Sequence, residues 1–141
     1  MADLRVGLVG TGFAGKFHTE CLRRIHGLDV ELAGVTSLHA ESRNAFGKEH
    51  GIPVYEDVTA MLPHIDVLDI CSPPAAHDEG MRLAAEAGKH IICEKPLSGY
   101  FGPPDAGETY RGNEDAKEPM LDEVVAKLED LAATIRKSGV T

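Results

Sequence analysis

Between a short apolar stretch and a helical pattern lies Gly10-Thr11-Gly12-Phe13-Ala14-Gly15, a G-x-G-x-x-G run in strand–turn–helix context. Leu4-Arg5-Val6-Gly7-Leu8-Val9 precedes it with the length and composition of a strand. Beyond it, Ala14, Phe17, Cys21, Leu22 and Ile25 recur on one helical face, and Gly27 offers a stop. Gly10 permits a tight turn, Gly12 lets backbone approach a pyrophosphate, and Gly15 lets helix and strand pack closely. The helix start presents unpaired N–H groups and a partial positive charge to phosphate. All six residues are therefore candidates for holding a dinucleotide. The plainer alternative is a tight strand–helix turn with no ligand.

Strand and helix patterns alternate from there, which points to an α/β chain with a doubly wound parallel sheet. Val30–Thr36 reads as a second strand, a helix follows near His39–His50, and Val54-Tyr55 is a short third strand. Asp57 can cap a brief helix, Val58–Leu62, ending at Pro63. Val67–Cys71 and His90–Cys93 are the fourth and fifth strands, separated by a helix over His77–Ala87 that closes at Gly88. Residues 1–97 form the dinucleotide-binding core on this reading. Residues 98–119, rich in Gly and Pro, form a loop or lid. Residues 120–138 form an amphipathic helix whose stripe of Leu121, Val124, Val125, Leu128, Leu131, Ala132 and Ile135 should pack on the sheet.

A chain of 141 residues supports one domain. Fourteen basic and 23 acidic residues leave a net charge of −9, a field that repels nucleic acid and anionic membrane. Phosphate must then be held by local backbone geometry. No apolar run approaches the ~18 residues of a membrane span, and no signal-like segment opens the chain, so a cytoplasmic location is expected. Cys21, Cys71 and Cys93 are an odd set in apolar contexts, expected as buried free thiols. No histidine spacing suggests a metal site, and none is expected.

Right-handed crossovers place the first three strands on one side and the later ones on the other, so a ligand belongs across the carboxyl ends at the switch. Three segments meet there: the glycine turn, Ser72-Pro73-Pro74-Ala75-Ala76-His77, and Glu94-Lys95-Pro96. In that combination the chain resembles the N-terminal NAD(P)-binding Rossmann domain of the glucose–fructose oxidoreductase / inositol dehydrogenase family, with residues 4–98 carrying the likeness. The resemblance implies oxidoreductase chemistry: hydride transfer between a nicotinamide cofactor and a sugar, cyclitol or related polyol or carbonyl.

By that resemblance Lys95 is the catalytic candidate, its ammonium beside nicotinamide and substrate oxygen; the alternative is a surface cation paired with Glu94. An ammonium there would stabilise charge developing on a carbinol oxygen. Glu94 is expected to orient Lys95 or contact ribose, and Pro96 to follow a cis bond as in similar proteins. Ser72, Pro73 and His77 belong to the loop lining the cofactor, although His77 could equally be a helix-start residue without a ligand. His18, one turn into the first helix, reads as structural. Ser37 stands where NAD enzymes carry an acid on the ribose hydroxyls. Its hydroxyl, with His39 or Arg43, tilts the choice between NAD and NADP slightly toward NADP, but a hydroxyl also serves NAD and the choice stays open.

The resembling family adds a C-terminal α+β domain with the substrate pocket, and this chain ends where a sixth strand should begin. The expectation is a single cofactor domain lacking that partner, catalytically incomplete by itself. An uncovered sheet edge predicts homo-oligomers. Two other readings stay open: a non-enzymatic dinucleotide-binding sensor or regulator, and a different ligand such as S-adenosylmethionine or coenzyme A.

Overall fold

Four parallel strands lie in the order β2-β1-β3-β4, with β1 over Leu4–Val9, β2 over Val30–Thr36, β3 over Val67–Ile70 and β4 over His90–Cys93. The computed structural model describes residues 2–103, 105–106, 110–113 and 115–141. Helices α1 (Phe13–Leu22), α2 (Ala40–His50), α3 (Val58–Met61), α4 (His77–Glu86) and α5 (Lys117–Ser138) connect and cover the strands. The chain is thus a parallel, Rossmann-like α/β fold whose order reverses between β1 and β3.

The central strands are apolar on both faces because both are covered. Leu8, Val35, Phe46, Ile52 and Cys71 fill one side of the sheet. Met61, Leu62, Ile65, Leu68, Ile70, Met81, Ala84 and Leu131 fill the other. At one end of the sheet, Asp66 Oδ2 accepts from the Arg5 backbone N–H at 2.9 Å. At the carboxyl end, the Gly10 N–H donates to Thr36 O at 2.8 Å, Cys71 N–H to Val9 O at 2.8 Å, and Glu94 N–H to Ile70 O at 3.0 Å. Those three bonds draw the loops after β1, β3 and β4 into one crevice.

Several expectations need correction. The third strand is a single bridge, Val54 to Val35, not a strand. The Asp57 cap is present, its carboxylate accepting from Ala60 N–H at 2.8 Å. The α-helix it starts ends at Met61, just before Pro63, and a 3-10 turn over Leu62–His64 carries the chain through the proline.

The apolar face expected on α1 holds only in part: Ala14 and Leu22 pack on the core, but Phe17 and Ile25 are exposed, Cys21 faces water, and the fully buried residues are Gly15 and Thr19. Close approach of α1 to the glycine turn demands small side chains, so the large ones rotate outward. The helix ends at Leu22, before Gly27. Of the three thiols only Cys71 is buried.

The stripe on α5 packs only in part. Leu131 and Ile135 join the core against α4 and β4, and Arg82 of α4 pairs with Asp130 at 2.6 Å. Leu121 and Val125 remain exposed. Thr141 reaches the outer edge of β4, where its carbonyl accepts from Ile91 N–H at 2.8 Å. Within the 98–119 segment, Tyr110 donates to Asp115 and Lys117 Nζ to Gly112 O at 2.8 Å. Pro104, Gly107, Glu108, Thr109 and Glu114 of the expected lid lie outside the described residues.

Candidate dinucleotide site

The glycine turn divides its labour among three positions. Gly10 has φ +104°, and a Cβ there would stand 2.7 Å from the main chain of Cys71. A Cβ on Gly15 would stand 2.2 Å from Gly10 O, so α1 can begin this close to β1 only with glycine. At Gly12 a Cβ would meet nothing within 4 Å: this residue faces open space. Gly12 also caps α1 with no side-chain hydrogen bond. The first N–H groups of a helix have no partner within it. Such groups at a helix start with no side-chain cap suit an anionic diphosphate.

Across the crevice, Ser72 follows β3. Its Oγ is buried and has no hydrogen-bond partner among the described residues. A buried hydroxyl without a partner costs free energy until something supplies one. An open glycine cradle and an orphaned hydroxyl at the same crevice both fit a dinucleotide. Pro73 beside Ser72 is exposed.

His77 is placed differently from the cofactor-contact expectation. It is fully buried, with Nδ1 3.0 Å from Pro96 O and Nε2 2.8 Å from Ser72 O. Each ring nitrogen faces a carbonyl oxygen, so His77 donates its N–H to one of them and packs between the two crevice loops.

Glu94, Lys95 and Pro96 close β4 with a cis Lys95–Pro96 bond, as expected from the resemblance. Lys95 is exposed, and its ammonium has no hydrogen-bond or ion-pair partner among the described residues. Glu94 does not pair with that ammonium. Its Oε2 accepts instead from the Lys95 backbone N–H at 3.1 Å, and its Oε1 lies 3.0 Å from His18 Nε2. The hydrogen bond from His18 and the one from Lys95 N–H hold the Glu94 carboxyl below its usual range.

Asp69, and the link it makes to His18, are what sequence reasoning missed. His18 Nδ1 lies 2.9 Å from Asp69 Oδ2, and that carboxylate is 1% exposed. Burial pushes the Asp69 carboxyl up, against the opposing pull of His18. Burial drives Cys71, whose thiol donates to Asp69 Oδ1 at 3.6 Å, far upward. Donor atoms of His18, Asp69 and Cys71 lie within 4.8 Å of one another, but hydrogen bonds among them account for the grouping. One signal was present: an acid inside the otherwise apolar Val67-Leu68-Asp69-Ile70.

At the end of β2 the hydroxyls gather. Thr11 Oγ1 donates to Ser37 Oγ at 3.3 Å and also meets Ser42 Oγ. Arg43 Nη1 donates to Ser37 O at 3.2 Å, bringing a guanidinium to the same corner. His39 serves through its backbone as the N-cap of α2. There is no carboxylate at Ser37 itself. Phe13 and Phe17 stack at 6.3 Å on the outer face of α1.

The profile of an oxidoreductase family with an NAD-binding Rossmann fold matches residues 4–110. The chain is 37% identical over 108 residues to levoglucosan dehydrogenase of Pseudarthrobacter phenanthrenivorans, covering 70% of this chain and 27% of that protein. It is 37% identical over 101 residues to D-glucoside 3-dehydrogenase of Escherichia coli, covering 67% and 28%. A scyllo-inositol dehydrogenase from Lactobacillus casei, solved with NAD(H) and scyllo-inositol, superposes with a TM-score of 0.72 at 25% identity, covering 96% of this chain and 34% of that one. The chain therefore spans less than a third of the length of these two curated relatives. Among the described residues, no helix is long and apolar enough to cross a membrane.

Proposed function

The chain belongs to the glucose–fructose oxidoreductase / inositol dehydrogenase family of oxidoreductases with an NAD-binding Rossmann fold, and we propose that it holds the nicotinamide dinucleotide for hydride exchange with a sugar, cyclitol or related polyol. The observation that carries this reading is the pairing of an open Gly12 cradle with an orphaned Ser72 hydroxyl across the switch point. Backbone N–H groups of Phe13 and Ala14 at the start of α1 bind the diphosphate, and Ser72 donates or accepts one further hydrogen bond. A bound nicotinamide supplies the hydride acceptor or donor.

Lys95 is the residue proposed to touch substrate. Its ammonium, unpaired among the described residues, stabilises negative charge on a carbinol oxygen and keeps a proton at hand there. Glu94 orients that segment through the Lys95 N–H, and His77 holds Pro96 against Ser72. The hydroxyls of Thr11, Ser37 and Ser42, with Arg43, favour the 2′-phosphate of NADP, since Ser37 puts a hydroxyl where an acid would repel it. Free cysteines fit a cytoplasmic setting.

Substrate selection and turnover need groups beyond those in this crevice, so the chain by itself is proposed to bind dinucleotide weakly and turn over negligibly. Exposed Ile92 and Leu97 beside β4 support self-association at that edge, which light scattering over a concentration series would detect.

Calorimetric titration with NADPH, NADH, S-adenosylmethionine and coenzyme A tests the assignment. Binding of the nicotinamide pair, NADPH more tightly, is the expected result. Binding of either alternative ligand alone would overturn it.

A further inference from the structure

Asp69 stands in the middle of β3 among buried Val67, Leu68 and Ile70, and a carboxylate there is costly unless partnered. Its partner comes from another layer. His18, on α1 one turn past the glycine turn, places Nδ1 2.9 Å from Asp69 Oδ2 and Nε2 3.0 Å from Glu94 Oε1. Glu94 in turn accepts the Lys95 N–H. Three elements are linked by one ring, and the link ends on the backbone of the proposed substrate-touching residue.

We propose that His18 is a positioning residue: gripped between the Asp69 and Glu94 carboxylates, its doubly protonated ring fixes the Glu94–Pro96 turn and thereby the chain's hold on the nicotinamide end of a dinucleotide. This rests on the dinucleotide reading above and adds to it a proton-dependent control of one half of the site.

The chemistry follows from counting donors. A carboxylate only accepts, so both contacts are hydrogen bonds only when both ring nitrogens carry protons. Charge-assisted bonds of that kind are the strong ones. Burial alone would lower the His18 pKa, but hydrogen bonds and charge from Asp69 and Glu94 together outweigh it and raise it above the ordinary 6.5. The other groups acting on this cluster are the Cys71 thiol on Asp69, the Cys93 thiol of β4 held at about 11, itself influenced by Asp78 of α4, and the Lys95 ammonium. Neither thiol ionises in the range where the ring does.

When the ring loses a proton, one contact must go. Asp69 is 1% exposed and Glu94 30% exposed, so the remaining proton stays on Nδ1 toward the more buried acid. Nε2 then turns a lone pair on Glu94 Oε1, and the Glu94–Lys95 turn is released into water. The phosphate end is untouched, because Gly10, Gly12 and Gly15 contribute backbone alone.

Two probes separate the halves of the site: ADP-ribose, which lacks nicotinamide, and NADH. For the 141-residue chain, affinity for NADH should fall about tenfold between about pH 6.5 and about pH 9.5, the size of one lost charge-assisted hydrogen bond, while ADP-ribose affinity holds. In His18→Gln the NADH profile should be flat, with an unchanged circular dichroism spectrum. Independently of any ligand, the Lys95 amide resonance should titrate together with the His18 ring, and Glu94→Gln should abolish the shared titration. Parallel pH profiles for the two probes, or a Lys95 amide indifferent to His18, overturn the proposal. Failure of both probes to bind at every pH overturns the dinucleotide reading instead, and the coupling of the two resonances then decides the role of His18 alone.

Discussion

Arg5 and Asp66 form a three-bond clamp at the end of the sheet opposite the crevice. Asp66 Oδ2 accepts from the Arg5 backbone N–H at 2.9 Å and from Nε at 3.0 Å, and Oδ1 accepts from Nη2 at 2.7 Å. The hydrogen bond from Arg5 lowers the Asp66 carboxyl from 3.8 to about 2. A depressed carboxyl contributes stability that is complete above its unfolded value and disappears as pH falls toward the folded one. Thermal melts should therefore show a loss of stability between 3.8 and about 2 that is smaller in Asp66→Asn. Both side chains are more than one-third solvent-accessible, so the effect is modest and shrinks in high salt.

The glycine turn predicts two unlike alanine variants. Gly10→Ala forces φ +104° on a residue with a Cβ and drives that atom into Cys71. It should cost about 2 kcal/mol or more of stability, read by urea denaturation. Gly12→Ala meets nothing, so the fold should be unaffected while dinucleotide affinity drops about tenfold in the same buffer. Equal affinity in Gly12→Ala and the native chain would remove the glycine turn from the site.

Cofactor choice should move with one substitution. Ser37→Glu places a carboxylate at the hydroxyl corner beside Thr11 and Ser42. Affinity for NADPH should fall by about tenfold or more and the NADH-to-NADPH ratio should rise, measured by paired fluorescence titrations. A ratio that does not change places the ribose elsewhere.

The two ends of α5 should respond differently to truncation. Leu131 is 3% exposed within the core beside Met81 and Ala84, so Leu131→Ala should cost about 2–5 kcal/mol. Leu121 is 61% exposed, and Leu121→Ala should change stability by less than about 0.5 kcal/mol. Denaturant midpoints at constant slope give both numbers.

What the sequence made legible was local. Apolar runs bounded by Gly and Pro located β1 to β4, and the central pair β1 and β3, covered on both faces, needs little else. The turn Gly10–Gly15 announced itself because only glycine satisfies its crowding. Lys95 and its cis proline were reached through family resemblance, not through periodicity. The face of α1 was misread because apolar periodicity assumes that large residues pack, whereas this helix approaches so closely that Gly15 and Thr19 fill the contact. Val54 had strand composition but too few neighbours for more than one bridge.

The His18–Asp69–Glu94 link was invisible for a different reason. Its members lie 51 and 76 residues from His18, and no local pattern joins them. Asp69 was the available clue, since an acid in a buried strand demands a partner. The identity of that partner depends on the rotation of α1, which was the element misread.

Sheet order carries one more consequence. The flank of β2 holds little beyond the Val54 bridge, and the flank of β4 is met by Thr141. β1 and β3 are paired on both sides. Amide deuteration should therefore enter from the two margins and reach Val6, Leu8, Leu68 and Ile70 last, so that the slowest-exchanging protons mark the very strands from whose ends the crevice is built.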